Sequence, residues 1–309
     1  MRTTAFHSAW VVGDAAPTVT GAHRNLFPWW SFPKTVLANA TLRLDETGML
    51  QLDAPRPHEP YTLRQLLLHR AGVGDYGKLE AYHEAVARGE DAWPRARLLE
   101  AVNAKELEFE PGARWNYSNV GYLFVRDAIE DAAGLPLEQA LHQLVLAPLG
   151  LTSVRLATKR ADFAEIFWPQ LRSYDPQWVY HGCLVGTPGD AAKLLHALFR
   201  GELIERSSIE TMFERSTNLG GAIPGRPWTA PSYALGLMSG SMGKMGRAWG
   251  HSGGGPHSSN AVYHFPDLLV PVTVATFTNS EEEGPAEIEA VSIAVRTQEA
   301  VRSPPSPCR

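Results

Sequence analysis

The sequence predicts an α/β plus all-α protein: an antiparallel sheet flanked by helices, with a helical domain inserted into it. Three observations predict this class. Helical periodicity dominates from Thr62 to about Arg215. Beyond Tyr233 the texture changes to short alternating or β-branched runs separated by glycines. A short hairpin pattern at residues 9–23 precedes the first helix, so strands stand at both ends of the chain. The expected division is therefore a sheet domain built from residues 1–60 and 216–302, a helical domain at 61–215, and a loose tail at 303–309.

Taken in order, the hairpin is followed by an aromatic approach, Phe27-Pro28-Trp29-Trp30, to a helix beginning near Ser31. Val36, Leu37, Ala40 and Leu44 follow helical spacing there, and Gly48 stops it. Amphipathic helical segments follow at 62–69, 79–89, 94–104, 121–134, 137–150, 189–201 and 207–215, punctuated by turn signals such as Pro111-Gly112 and Gly134. Strand-like runs occupy 233–240, 246–253, 258–265 and 270–279, and a last helix spans about Pro285 to Arg302. The junction of two such domains is a natural cleft.

Composition excludes several functions. With 33 acidic against 28 basic residues the net charge is −5 and no charge run stands out, so there is no footprint for nucleic acid or an anionic membrane. Two cysteines, Cys183 and Cys308, cannot build a disulfide framework, which fits either a reducing compartment or indifference to redox conditions. The apolar stretch Ala9–Val12 is too short for a signal-peptide core, and the run from Leu268 to Phe277 is broken by Pro271. Neither an export signal nor a membrane helix is expected, and the cytoplasm is the expected location. No H-E-x-x-H occurs, since His83-Glu84 leads to Arg88, and there is no Walker loop or dinucleotide fingerprint. Helical His142 and His196 read as surface or core residues. No metal and no organic cofactor is expected; oligomeric state is left open.

Three short patterns carry possible chemistry. Ser31-Phe32-Pro33-Lys34 is S-x-x-K at a helix start, where one turn puts a hydroxyl and an amine on one face. Burial would leave such a lysine neutral and able to serve as a base. Composition alone yields about 0.35 such pairs by chance, and a second copy, Ser241-Met242-Gly243-Lys244, falls in a Gly-rich turn, so a capping serine beside a solvated lysine is the plain alternative. Tyr117-Ser118-Asn119 precedes a strong helix. It reads either as a cap with a packed tyrosine, or as a proton relay with an orienting amide. Gly250 to Pro256 is either a plain β-turn or a strand edge where a backbone N–H stabilises an oxyanion. The same segment spells G-x-S-x-G around Ser252, but Pro256 and a strand follow, and no Ser-Asp-His order can be built because the last histidine, His264, precedes Asp267.

In order and spacing, Ser31-x-x-Lys34, Tyr117-x-Asn119 and His251-x-Gly253 resemble the serine β-lactamase and penicillin-binding-protein superfamily, in its class C-like branch with the family VIII carboxylesterases. Leu66 to Gly72 looks like that branch's L-L-x-H-T-S-G, and the segments 109–122, 184–198 and 250–267 are similar to three more of its stretches. His251 stands where β-lactamases usually carry a lysine, Pro256-His257 replaces Pro-Gly, Arg70-Ala71 replaces Thr-Ser, and 30 residues precede Ser31, fewer than usual in that branch. The resemblance implies a β-lactamase/transpeptidase-like fold, with Ser31 as nucleophile and Lys34 with Tyr117 as the proton-transfer pair. Asn119 would orient lysine and substrate, and the N–H groups of Ser31 and Gly254 would hold the oxyanion. His251 and Gly253 would line the substrate. Trp29, Trp30, Trp178 and Tyr180 are candidates for an aromatic wall around the cleft, with plain core packing as the alternative for each. A small ester is the first expected substrate, because His251 removes the fixed charge that would grip a carboxylate. An amide hydrolase with weak β-lactam turnover, and a catalytically silent binding or assembly protein, are the other readings.

Overall fold

The computed structural model describes residues 4–56 and 58–302. The expected architecture is the one the chain forms. Eight antiparallel strands make the main sheet in the order β2-β1-β11-β10-β9-β8-β7-β6. They are β1 (Phe6–Val12), β2 (Thr18–Thr20), β6 (Thr217–Asn218), β7 (Ala230–Ala234), β8 (Leu237–Ser241), β9 (Trp249–Gly255), β10 (Ser258–Phe265) and β11 (Val272–Thr278). The N-terminal β1 enters beside the C-terminal β11, in register from Phe6 opposite Thr278 to Val12 opposite Val272. Every residue of β10 and β11 is buried, on both faces of the sheet. Two helices cover those faces: α7 (Pro188–Phe199) packs on β1, β10 and β11, and α9 (Glu283–Arg302) packs on β10 and β11.

The helical side holds α1 (Pro33–Glu46), α2 (Leu63–Leu67), α3 (Glu80–Ala87), α4 (Arg95–Ala101), α5 (Asn119–Ala133), α6 (Leu137–Leu141) and, near the sheet, α8 (Arg206–Phe213). Helix α1 packs against α5 and α6, and it is buried on nearly all sides. Its buried polar residues donate to backbone carbonyls: Asn39 Nδ2 to Thr35 O at 3.0 Å, Thr41 Oγ1 to Leu37 O at 2.9 Å, and Thr35 Oγ1 to Gly236 O at 2.7 Å, while Asn39 Oδ1 meets no partner among the described residues.

Two features differ from the sequence expectation. Residues 188–199, grouped there with the helical insert, pack on the sheet instead. A second sheet, β3 (Phe27–Pro28), β5 (Cys183–Gly186) and β4 (Arg155–Ala157), was not foreseen, because strands of two to four residues leave no alternation to read. Residues 303–309, with Cys308, lie outside the described residues. Among those described, no helix is long and apolar enough to cross a membrane.

Candidate active site

Ser31 sits in the turn that links the small sheet to α1. Trp29 N donates to Leu184 O at 2.9 Å, which anchors the chain, and Phe32 N returns to Trp29 O at 2.9 Å. Between them Trp30 adopts φ 44°, a left-handed value costly for a bulky residue. The N-cap of α1 is Phe32, without a side-chain cap, so Ser31 does not cap the helix. Its Oγ instead accepts from Tyr117 OH at 3.0 Å and lies 3.2 Å from Lys34 Nζ.

Lys34 is wholly buried. Its Nζ donates to Asn119 Oδ1 at 2.8 Å and lies over the rings of Tyr117 and Tyr122, at 4.9 and 5.6 Å from their centroids. Burial brings its pKa down to about 7, against the opposing pull of the Asp75 and Glu283 carboxylates. Burial also drives the Tyr117 phenol well above its ordinary range, although its bond to Ser31 works the other way. The lysine is therefore the group that can be neutral near pH 7, while the phenol keeps its proton.

Ser118 caps α5 by accepting from Gly121 N at 2.9 Å, which places Asn119 in the helix's first turn. Asp75 then fixes the amide: its Oδ1 accepts from Asn119 N at 2.7 Å and its Oδ2 from Asn119 Nδ2 at 3.3 Å, leaving Oδ1 of Asn119 for the lysine. Sequence reasoning missed Asp75, a lone carboxylate with no spacing that ties it to the motifs. It also missed His181, whose Nε2 lies 3.4 Å from Lys34 Nζ.

The Gly-rich segment is the strand β9 itself, closed to β10 by a turn in which His257 has φ 60°. At Gly253 a Cβ would stand 2.6 Å from Ser31 N and 2.8 Å from Trp30 Cβ, so only glycine lets this strand lie against the nucleophile's backbone. Gly254 borders the cavity beside Ser31. His251 is placed differently from the sequence expectation. It is 3% exposed, its Nδ1 bonds the Ser252 carbonyl, and its Nε2 meets Tyr233 OH at 3.1 Å. With both nitrogens engaged it stands edge-on to Tyr117, 6.3 Å between ring centroids, rather than facing a substrate. Burial, with the Lys34 and Arg226 charges, lowers its pKa to about 3 despite the Ser252 carbonyl, so the ring is neutral.

Ser252 is buried in mid-strand, bonded to Arg226 Nη2 at 2.9 Å and Glu283 Oε2 at 3.0 Å, in no elbow. Arg226 is neutralised in turn by Glu283 at 2.7 Å and the fully buried Glu287 at 2.5 Å. Ser241 ends β8, and Lys244 is exposed on a 3-10 turn.

A cavity of about 210 Å³ lies beside Ser31, bordered by Trp30, Tyr76, Asn119, Trp178 and His181. It shares Tyr82, Tyr174, Trp178, Gly254 and Gly255 with a larger one of about 760 Å³. The charged residues lining that larger space are Glu90, Asp175, Glu281 and Glu283, with no lysine or arginine among its described lining. Trp29 is packed in the core against Phe32. Tyr180 belongs elsewhere: its OH donates to Trp93 O at 2.8 Å, and it lines a separate cleft with Arg95 and Glu130. Among the described residues no group of three or more His, Cys, Asp or Glu could hold a metal.

The family model described as Beta-lactamase matches residues 2–298. Penicillin-binding protein 4* of Bacillus subtilis (strain 168) is 24% identical over 294 residues, covering 84% of this chain and 62% of that protein. Esterase EstB of Burkholderia gladioli is 34% identical over 147 residues, 41% of this chain and 37% of the esterase. The chain thus spans less than two thirds of the length of either curated relative. Among solved structures, D-amino acid amidase from Ochrobactrum anthropi SV3 superposes with a TM-score of 0.77 at 20% identity, covering 96% of this chain and 95% of that one, a likeness of fold.

Proposed function

Because the chain belongs to the beta-lactamase family, we propose that it is a serine hydrolase that cleaves a small ester through an acyl-enzyme on Ser31. One observation carries the reading: the unbroken hydrogen-bond chain from Tyr117 through Ser31 and Lys34 to Asn119. Neutral Lys34 takes the Ser31 proton as Oγ attacks the carbonyl carbon, and the N–H groups of Ser31 and Gly254 receive the oxyanion. Tyr117 gives its proton to the leaving oxygen. Water then attacks the acyl group, its proton passes to the same pair, and Ser31 leaves with a proton restored.

The ester preference rests on charge. With His251 neutral and Arg226 neutralised behind Ser252, neither offers a free charge to a substrate carboxylate, and the described lining of the larger cavity carries acids with no lysine or arginine. An amide is the second reading, favoured by the D-amino acid amidase among the structural neighbours and by a protonated Tyr117 poised for a nitrogen leaving group. A panel of p-nitrophenyl acetate and butyrate, D-amino acid amides and a chromogenic cephalosporin tests the order. Faster turnover of the cephalosporin or the amides than of the esters would reverse it.

A further inference from the structure

His181 is a buried imidazole with no task in the steps above. It is 2% exposed and borders the cavity beside Ser31. Its Nε2 lies 3.4 Å from Lys34 Nζ and 3.3 Å from the Trp30 carbonyl oxygen, and its Nδ1 meets no protein partner among the described residues.

Among the described residues the lysine nitrogen has three polar neighbours: Ser31 Oγ at 3.2 Å, Asn119 Oδ1 at 2.8 Å and His181 Nε2 at 3.4 Å. A neutral amine offers two N–H bonds and one lone pair. Asn119 can only accept here, since Asp75 holds its Nδ2. If Ser31 is to hand over its proton, the lone pair has to face Oγ, and the second N–H then needs an acceptor on the remaining side.

We infer that His181 is a positioning residue for Lys34: its unprotonated Nε2 accepts the second lysine N–H and, together with Asn119, aims the amine lone pair at Ser31 Oγ. When the Ser31 O–H bond breaks and the new N–H bond forms, the ammonium has one acceptor for each hydrogen, namely the serine oxygen, Asn119 and His181. Neither protonation state requires a side chain to move. The competing arrangement is the other tautomer, Nε2–H donated to the Trp30 carbonyl, which would set a hydrogen against the lysine. The consequence for rate rests on the serine-hydrolase reading, while the tautomer does not. The titratable groups around the pair are Asp75, Glu283, Tyr117, Tyr122, His69 and His251, with Arg126 acting on His181.

Two measurements test this. Long-range ¹H–¹⁵N correlation on histidine-labelled full-length protein, with His181→Phe to assign the signal, reports the resting tautomer. Nδ1–H is expected; Nε2–H overturns the inference whether or not the protein hydrolyses anything. The second is the pH profile of Ser31 acylation by a fluorophosphonate, with Tm recorded to exclude misfolding. In His181→Phe, which fills the space and admits no water, the plateau rate should fall about tenfold or more while the acid limb moves to lower pH, because a lost acceptor disfavours the ammonium. His181→Gln, with an amide oxygen to accept, should recover most of the rate. A folded Phe variant with unchanged rate and profile, or one whose acid limb moves upward, overturns the inference.

Discussion

At the residue scale, the burial of Lys34 sets both the working pH of the site and a cost to the fold. With the lysine pKa brought down to about 7, acylation of Ser31 should rise about tenfold per pH unit below that value and level off above it. A profile flat from pH 5 to 8 would remove the lysine from the role of base. The folded chain binds fewer protons here than the unfolded one between about pH 7 and the ordinary lysine value, so this group's contribution to stability rises with pH across that window. Lys34→Met, which keeps the volume and drops the amine, is expected to raise Tm by about 2–4 °C at pH 6 while abolishing acylation; a lower Tm would mean that the lysine holds α1 in place. Ser31→Ala should lose fluorophosphonate labelling and Ser252→Ala should keep it, since Ser252 is committed to Arg226 and Glu283. The motif residues were legible because one helical turn or one strand step fixes their mutual distance. Asp75 and His181 were not, because their partners lie 44 and 147 positions away and no local pattern encodes such a pairing.

At the element scale, β9 decides how closely the sheet approaches the nucleophile. Gly253→Ala would push a methyl against the Ser31 nitrogen, a backbone atom that cannot swing aside, whereas Gly221 has open space around it. The first substitution should cut kcat/KM by about a hundredfold with the fold retained, and Gly221→Ala should leave it unchanged; equal effects would show that strand spacing is irrelevant. The strands after Tyr233 and the final helix could be read from the sequence because each carries its own periodicity. The grouping of α7 could not, since an apolar helical face does not say whether a sheet or a helix will cover it. The burial of His251 was not legible for the same reason: the strand pattern gave its position, but its engagement by Tyr233 depends on β7 and β9 standing on either side of β8.

At the scale of the whole molecule, the joined cavities present carboxylates and aromatic rings to whatever approaches Ser31. Anionic esters should therefore be poorer substrates than neutral esters of the same size, and the gap should shrink as salt is raised from low to physiological strength, where the screening length falls to about 8 Å. A gap indifferent to salt would point to shape instead of charge. The pairing of β1 with β11 reaches further than the site. Residues 6–12 are synthesised long before their partner at 272–278, and β1 has only the three-residue β2 beside it until that partner is made. Such a sheet is dominated by contacts between distant parts of the chain, a topology that folds slowly. The nascent chain must carry the β11-facing edge of β1 without a partner until residues 272–278 are made. Its exposure to chaperones and to aggregation is thus written into the strand order itself.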